Sequence, residues 1–295
     1  MALYEIHERI DLDAPVLIMS LEGWIDAGAG AARATAALQD GLDDSVLLAS
    51  FDTDELLDHR ARRPVMELVD GVNTGLSWPT IELRAATDDA GHDLLLLVGA
   101  EPDHTWRAFS AAAVDLALDF GTRLVLGLGA YPAPVPHTRP TQLASTATTP
   151  ELAQRVGSPV GGTINVPAGV QAAIERQCAE VGLPAVGLWA QVPHYAAAMP
   201  YPAAAAALID GLADIGGLVL DSQELHDEAA ATRLRLDALV AESDEHRELV
   251  TQLEAHVDAQ ARGEWVEGDE DAPLEMQTGD ELAAELERFL RDQEG

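Results

Sequence analysis

The sequence predicts a doubly wound α/β domain built on a mostly parallel sheet, followed by an acidic helical extension. Three observations predict it. Five short runs, Pro15–Leu21, Val46–Phe51, Asp93–Gly99, Arg123–Gly129 and Ala185–Val192, are apolar on consecutive residues. Strands buried on both faces of a parallel sheet require such runs, because both side-chain directions meet apolar neighbours. Alanine-rich stretches with helical spacing separate the runs, and alternation of strands with helices is the signature of a wound sheet. After Asp221 the composition changes: Ser222 to Gly295 holds 22 acidic residues and six Arg.

Taken in order, helices are predicted over Ala27–Gly41, Asp103–Gly121, Ala168–Val181 and Tyr201–Gly216. In Asp103–Gly121 the residues Trp106, Phe109, Ala113, Val114, Ala117 and Leu118 keep three-to-four spacing. Asp103 is placed to cap the first turn and Gly121 to end the last. Glu55 to Ala90, with Pro64, Gly71, Gly75 and Pro79, reads as a short helix, a long loop and a strand at Thr80–Thr87. These residues, from 1 to 221, form the α/β domain, and 222–295 forms the acidic helical tail. Within the tail Leu225, Ala229, Leu236, Leu239, Val250, Leu253 and Val257 fall on one stripe, interrupted by Thr232, Ser243 and His246. A single helix from Ser222 to about Gln260 extends roughly 58 Å. After an acid- and glycine-rich loop, Gly263 to Gly279, a capping box at Thr278-Gly-Asp-Glu281 opens a last helix burying Leu282, Leu286, Phe289 and Leu290. The apolar stripe of this tail needs either the α/β core or another subunit to cover it.

Composition removes several function classes. With 51 acidic and 17 basic residues the formal charge is −34, and binding a phosphate polyanion needs a cationic face instead. Nucleic acid is therefore not an expected partner. All the basic residues are Arg, which excludes Schiff-base chemistry, pyridoxal phosphate anchoring and a Walker-type phosphate lysine. The single Cys178 permits no internal disulfide and no cysteine zinc site. It is expected to be a buried, inert thiol in a reduced, cytoplasmic protein. Met1 to Ile10 carries Glu5, His7, Glu8 and Arg9 and does not read as a signal peptide. No apolar run approaches the ~20 residues that span a bilayer.

In a wound sheet, ligands bind at the carboxyl ends of the strands, so the polar residues just after the apolar runs are the candidates. They are Glu22 and Asp26, Glu101 and Asp103, His137 and Arg139, and His194, all expected to face one crevice. Carboxylates, imidazoles and an Arg there would serve acid–base chemistry or recognition of a phosphate, nucleoside or carboxylate. The same residue types also fit structural duty. Asp26 and Asp103 stand where helix N-caps are needed. The prolines of Pro136–Pro140 pin a loop against the next strand, Thr141–Thr148, with Arg139 paired to Asp103 or Glu101. Trp24 and Trp106 read as core or interface aromatics, and Leu236, Leu239, Val250 and Leu253 as candidate interface residues. No catalytic group, cofactor or metal is assigned.

Gly28-Ala-Gly30-Ala-Ala-Arg33, with Asp52 after the next strand, imitates a dinucleotide-binding fingerprint. It fails in detail, because Arg33 stands at the third glycine position, Trp24 to Asp26 lengthen the turn, and Asp26 repels a diphosphate.

The blocks Glu22-Gly-Trp-Ile-Asp-Ala-Gly28, Gly99-Ala-Glu-Pro-Asp-His-Thr-Trp106 with Phe109, Gly127-Leu-Gly-Ala130 and Val135-Pro-His-Thr-Arg-Pro140 resemble the proteasome assembly chaperone family in its actinobacterial and archaeal branch. The resemblance covers about Pro15 to Gly216, and the acidic tail is similar to that of actinobacterial members. It implies a fold related to purine nucleoside phosphorylases and a non-enzymatic role in protein assembly. It also implies a homo-oligomer, a ring-like trimer, with proteasome subunits as partners. Archaeal chaperone members end in a hydrophobic–Tyr–X tripeptide that docks on the proteasome α-ring. This sequence ends Asp292-Gln-Glu-Gly295, so docking by that route is not expected.

Overall fold

The computed structural model describes residues 3–42, 45–156, 158–159 and 163–262. One compact unit spans Met1–Glu254, and Ala255 begins a second. In chain order the strands of the main sheet are β1 (Tyr4–Ile6), β2 (Val16–Glu22), β3 (Val46–Phe51), β6 (Ile81–Thr87), β7 (Asp93–Ala100), β8 (Leu124–Ala133), β9 (Leu143–Ala147), β10 (Ser158–Pro159) and β11 (Ala185–Pro193), while β4 (Val65–Val69) and β5 (Val72–Ser77) pair separately. The main sheet runs β1-β3-β6-β7-β2-β8-β11-β9-β10. Its centre, β7-β2-β8-β11, is parallel, with Val16 opposite both Leu94 and Leu124, and Ala185 opposite Val125. The flanking strands β1, β3, β6 and β9 pair antiparallel.

The predicted class is the observed one. Helices cover both faces: α1 (Gly30–Gly41) and α6 (Pro202–Gly216) on one, α3 (Trp106–Asp119) and α5 (Val170–Val181) on the other. Alternate residues of β2 feed the two layers, Val16 and Ile18 into the first and Leu17 and Met19 into the second, as the two-sided burial of a parallel strand requires. Cys178 is buried in the second layer, and burial pushes its thiol up to about 12, so it stays protonated and inert.

Two readings of local structure are corrected. The short helix expected in Glu55–Ala90 begins earlier, as the four-residue α2 (Thr53–Leu56) capped by Asp52. The stretch read as a long loop is then a β-hairpin, β4 and β5. The long tail helix is two helices, α7 (Gln223–Ala241) and α8 (Asp244–Ala261). The break falls where Ser243 Oγ accepts the His246 N–H at 3.4 Å, an N-cap duty that serine performs better than helix continuation. Leu225 and Leu236 of α7 join the first core layer, and Thr232 is buried between them, so α7 packs on its own chain beside α6. Val250 and Leu253 are buried as well, whereas Leu239 is 56 % exposed. The capping box at Thr278 and the helix after it lie outside the described residues.

Asp88 shows how turns are secured. Its buried carboxylate accepts the backbone N–H groups of Ala90 at 2.9 Å, His92 at 2.8 Å and, across the chain, Val219 at 2.7 Å. Burial works against its charge, yet these donors and the His92 ring hold its pKa down at about 2. Its folded value lies below the unfolded one, so the stability it contributes is complete above pH 4 and is lost as pH falls toward 2. Asp88→Asn is expected to lower the unfolding free energy by about 2 kcal/mol at pH 7. The deficit against wild type should shrink in urea titrations repeated near pH 3.

Candidate functional site

At the end of β2 the chain makes a 3₁₀ turn, Ala27–Ala29, before α1. Asp26 stands under it: its two carboxylate oxygens accept the N–H groups of Ala31 at 2.8 Å and Ala32 at 3.0 Å. That places negative charge on the orphan donors at a helix start, the capping reading of the sequence. Gly28 has φ +63, and a Cβ there would lie 2.6 Å from Tyr201 Cβ. A Cβ on Gly30 would meet those of Ala204 at 2.9 Å and Ala130 at 3.0 Å. The Gly-x-Gly spacing lets α1 approach α6 and β8 closely.

Beyond β7 a second group forms. Glu101, buried, accepts the N–H of Val170, the first residue of α5, at 2.6 Å. Its own N–H donates to the Glu22 carbonyl at 2.7 Å. Trp24 is 44 % exposed, and its ring lies 3.0 Å from the position a Cβ on Gly169 would take. Asp103 does not cap α3. That helix starts later, after Thr105, whose side chain makes no capping bond. The Asp103 carboxylate instead accepts the Asp58 N–H at 2.8 Å and pairs with Arg62 at 3.4 Å. Arg62 also donates to the Glu22 carbonyl at 3.1 Å. Trp106 is half-buried against the second core layer and donates its indole N–H to the Pro102 carbonyl at 2.5 Å.

A third group joins the ends of β8 and β11 to the tail helices. His137 is buried between Tyr195 and Asp237, with Nδ1 2.7 Å from Tyr195 Oη and Nε2 3.2 Å from Asp237 Oδ1. Tyr195 Oη accepts the His137 backbone N–H at 2.8 Å, so the phenol proton goes to Nδ1 and the ring carries its hydrogen on Nε2, toward Asp237. Burial lowers the imidazole pKa, and Asp237 opposes that shift. Burial pushes the Tyr195 phenol up to about 12. Next to it Thr138 Oγ1 donates to Glu254 Oε1 at 2.5 Å, and Arg139 pairs with the same oxygen at 3.1 Å. Arg139 therefore meets an acid of α8, rather than Asp103 or Glu101. His194 is exposed, its ring edge-on to Tyr195 at 5.4 Å.

The candidates make three sets of contacts at the ends of neighbouring strands: Asp26 with α1, Glu22, Glu101 and Asp103 with α5 and Arg62, and His137 and Arg139 with α7 and α8. A polar cluster absent from the sequence-based candidates lies against β8 and β11. Gly127 and Gly187 are register partners, and the Gln171 carboxamide occupies the space their side chains would need. Gln171 Nε2 is buried with no hydrogen-bond partner among the described residues. Nearby, Thr146 donates to Glu175 at 2.6 Å, and burial raises the Glu175 pKa. The glycines of Gly127-Leu-Gly-Ala130 were the available signal, since glycine inside a buried strand marks close approach of another group. Among the described residues, no three or more His, Cys, Asp or Glu are grouped to hold a metal ion, and no helix is long and apolar enough to cross a membrane.

The sequence model of the PAC2 family matches residues 20–240. The chain belongs to the PAC2 family. A Mycobacterium tuberculosis protein of unknown function is 37 % identical, with TM-score 0.80 over 89 % of this chain and 90 % of that one. A proteasome-assembly chaperone homologue from the same organism is 30 % identical, with TM-score 0.73 over 80 % of this chain and 99 % of that one. An archaeal proteasome activator from Pyrococcus furiosus shares the fold at 17 % identity, with TM-score 0.62 over 81 % and 99 %. No curated protein matches the chain in sequence.

In this PAC2 protein three expectations follow from these contacts. Thr105, β-branched, holds φ +54 just before α3, a conformation that costs such residues about 1–3 kcal/mol. Thr105→Gly is expected to raise the unfolding free energy by about 1 kcal/mol, read by urea denaturation. Glu254→Ala, which removes the shared acceptor of Thr138 and Arg139, is expected to cost about 1–2 kcal/mol in the same assay. His137 has a folded pKa below its ordinary value, so it favours the folded state above about pH 6.5 and ceases to as pH falls below.

Proposed function

We propose that this PAC2 protein is a non-enzymatic homo-oligomeric assembly or scaffold factor, a cytoplasmic trimer whose client is made of proteasome subunits. The observation that carries the reading is the commitment of the strand-end polar groups to contacts within their own chain. Asp26 caps α1, Glu101 caps α5, Asp103 pairs with Arg62, His137 with Asp237, and Arg139 with Glu254. In spacing, Tyr195, His137 and Asp237 imitate a nucleophile, a base and an orienting acid. In this chain the same three side chains tie the ends of β8 and β11 to α7. Kinship with a proteasome-assembly chaperone homologue supports the choice of client.

The test mixes the purified chain with proteasome α-subunits and follows complex formation and particle assembly by native mass spectrometry. A complex and faster assembly are expected; no association with an unchanged assembly rate overturns the reading.

One observation favours a second reading, a small-molecule-binding protein or enzyme taking a phosphate, nucleoside or carboxylate. The unpartnered donor Gln171 Nε2, beside Thr146 and Trp189, offers a hydrogen bond to an acceptor, since a buried donor left alone is costly. On this reading a thermal-shift screen of nucleosides, phosphate and amino acids yields a rise in Tm that Gln171→Ala abolishes. A screen in which no compound raises the Tm contradicts it.

A further inference from the structure

Arg33, which closes the Gly28-Ala-Gly30-Ala-Ala-Arg33 block, takes no part in the strand-end contacts. It reaches from α1 to α7, where its Nη2 pairs with the Glu228 carboxylate. Thr232 and Arg235 follow Glu228 on the same face of α7, at the four- and seven-residue steps that align side chains along a helix. Pro200 and Pro202, at the start of α6, complete the wall of a cavity of about 290 Å³ that is open to solvent.

The charge of this cavity runs against that of the chain. Acidic residues outnumber Arg by 51 to 17, yet two guanidinium groups line one cavity, with a single carboxylate, Glu228, beside them. Arg235 forms no ion pair among the described residues. Its Nη2 donates to the buried Thr232 Oγ1 at 2.8 Å, a bond that fixes the guanidinium at the cavity wall. Arg33 has Nη2 on Glu228, and its buried Nε has no hydrogen-bond partner among the described residues. A guanidinium carries five N–H donors and no acceptor, so both side chains keep donors that the chain itself does not use. Two cations lining one cavity repel each other, and Glu228 offsets only one of them. The acid excess of the rest of the chain is screened beyond about 8 Å at physiological ionic strength, so the groups in the cavity decide what it attracts.

We propose that this cavity binds a small phosphate monoester, with the phosphoryl group between Arg33 and Arg235 and the ester stem against Pro200 and Pro202. Planar guanidinium forks match phosphate oxygens in pairs, and a dianion with three terminal oxygens can be held from two sides at once. A carboxylate brings two oxygens and one charge, which a single Arg already satisfies. The cavity has more room than a phosphoryl group alone fills, and its proline wall suits an uncharged stem. The site is distinct from Gln171, since α1 and α6 cover one face of the sheet and α5 the other. It also stands whether the chain is a monomer or an oligomer, because every group in it belongs to one copy.

The test is isothermal titration calorimetry of the full chain with glycerol phosphate, inorganic phosphate and glycerol at matched ionic strength. Wild type is expected to bind one glycerol phosphate per chain, inorganic phosphate more weakly, and glycerol not at all. Arg235→Gln, at an exposed position, is expected to keep the circular dichroism of wild type and to bind about tenfold more weakly, the loss of one hydrogen bond to a charged group. Glu228→Gln removes the competing carboxylate and frees Arg33, so it is expected to bind several-fold more tightly; a tie that only joined α1 to α7 would give no such gain.

No binding by wild type, or full affinity in Arg235→Gln, overturns the site. A folded Glu228→Gln with unchanged or weaker binding overturns the place of Arg33 in it; should that variant unfold, Arg235→Gln decides alone. Inorganic phosphate bound as tightly as glycerol phosphate overturns the monoester in favour of free phosphate. Loss of binding in Gln171→Ala overturns the site in favour of the cluster on α5.

Discussion

The loop Pro136–Pro140 ties Asp237 of α7 and Glu254 of α8 to the ends of the central strands, and the position of α7 beside the core depends on that clamp. Its contacts cross a hundred residues of sequence or more, from His137 to Asp237 and from Thr138 and Arg139 to Glu254. Proline at both ends limits the backbone freedom the loop loses on folding. The imidazole is used as a neutral donor, which a buried histidine supports at neutral pH. Because α7 is drawn in beside α6, Leu225 and Leu236 complete a core layer that the α/β elements alone leave open.

The other family blocks obey the same economy. Several strand-end carboxylates serve helix starts and loop ties. Asp26 serves the orphan donors of α1 and Glu101 those of α5. Glycines that imitate a nucleotide loop allow α1 to touch α6. Polar residues of these blocks thus serve packing and capping, while the hairpin carries exposed apolar residues, Val65, Leu68 and Val72 among them. The proposed assembly role calls for that distribution, a packed core with surface left for other chains.

The five apolar runs, the helices between them and the Asp26 cap were legible because each rests on local periodicity or on neighbours a few residues away. What was not legible is equally physical. The hairpin was read as a loop because Pro64, Gly71, Gly75 and Pro79 look like chain breakers and because residues apolar on both faces of a ribbon do not alternate. Asp70-Gly71 between apolar segments was the signal that identifies it. The helix break at Ser243 was hidden inside a continuous stripe. The partner of Arg139 has no local signature at all, since Glu254 is 115 residues away and only the fold brings it near. The placement of Glu22 and Asp103 around Arg62 has the same origin.

Hydrogen exchange along α7 tests most directly whether the strand-end groups serve to fix the tail helices. The account predicts that amides of α7, from Leu225 to Leu236, exchange at pH 7 with protection comparable to that of the central strands β2 and β8, because they open only when the core opens. Exchange of α7 at the rate of an unstructured peptide, with β2 and β8 still protected, would contradict it.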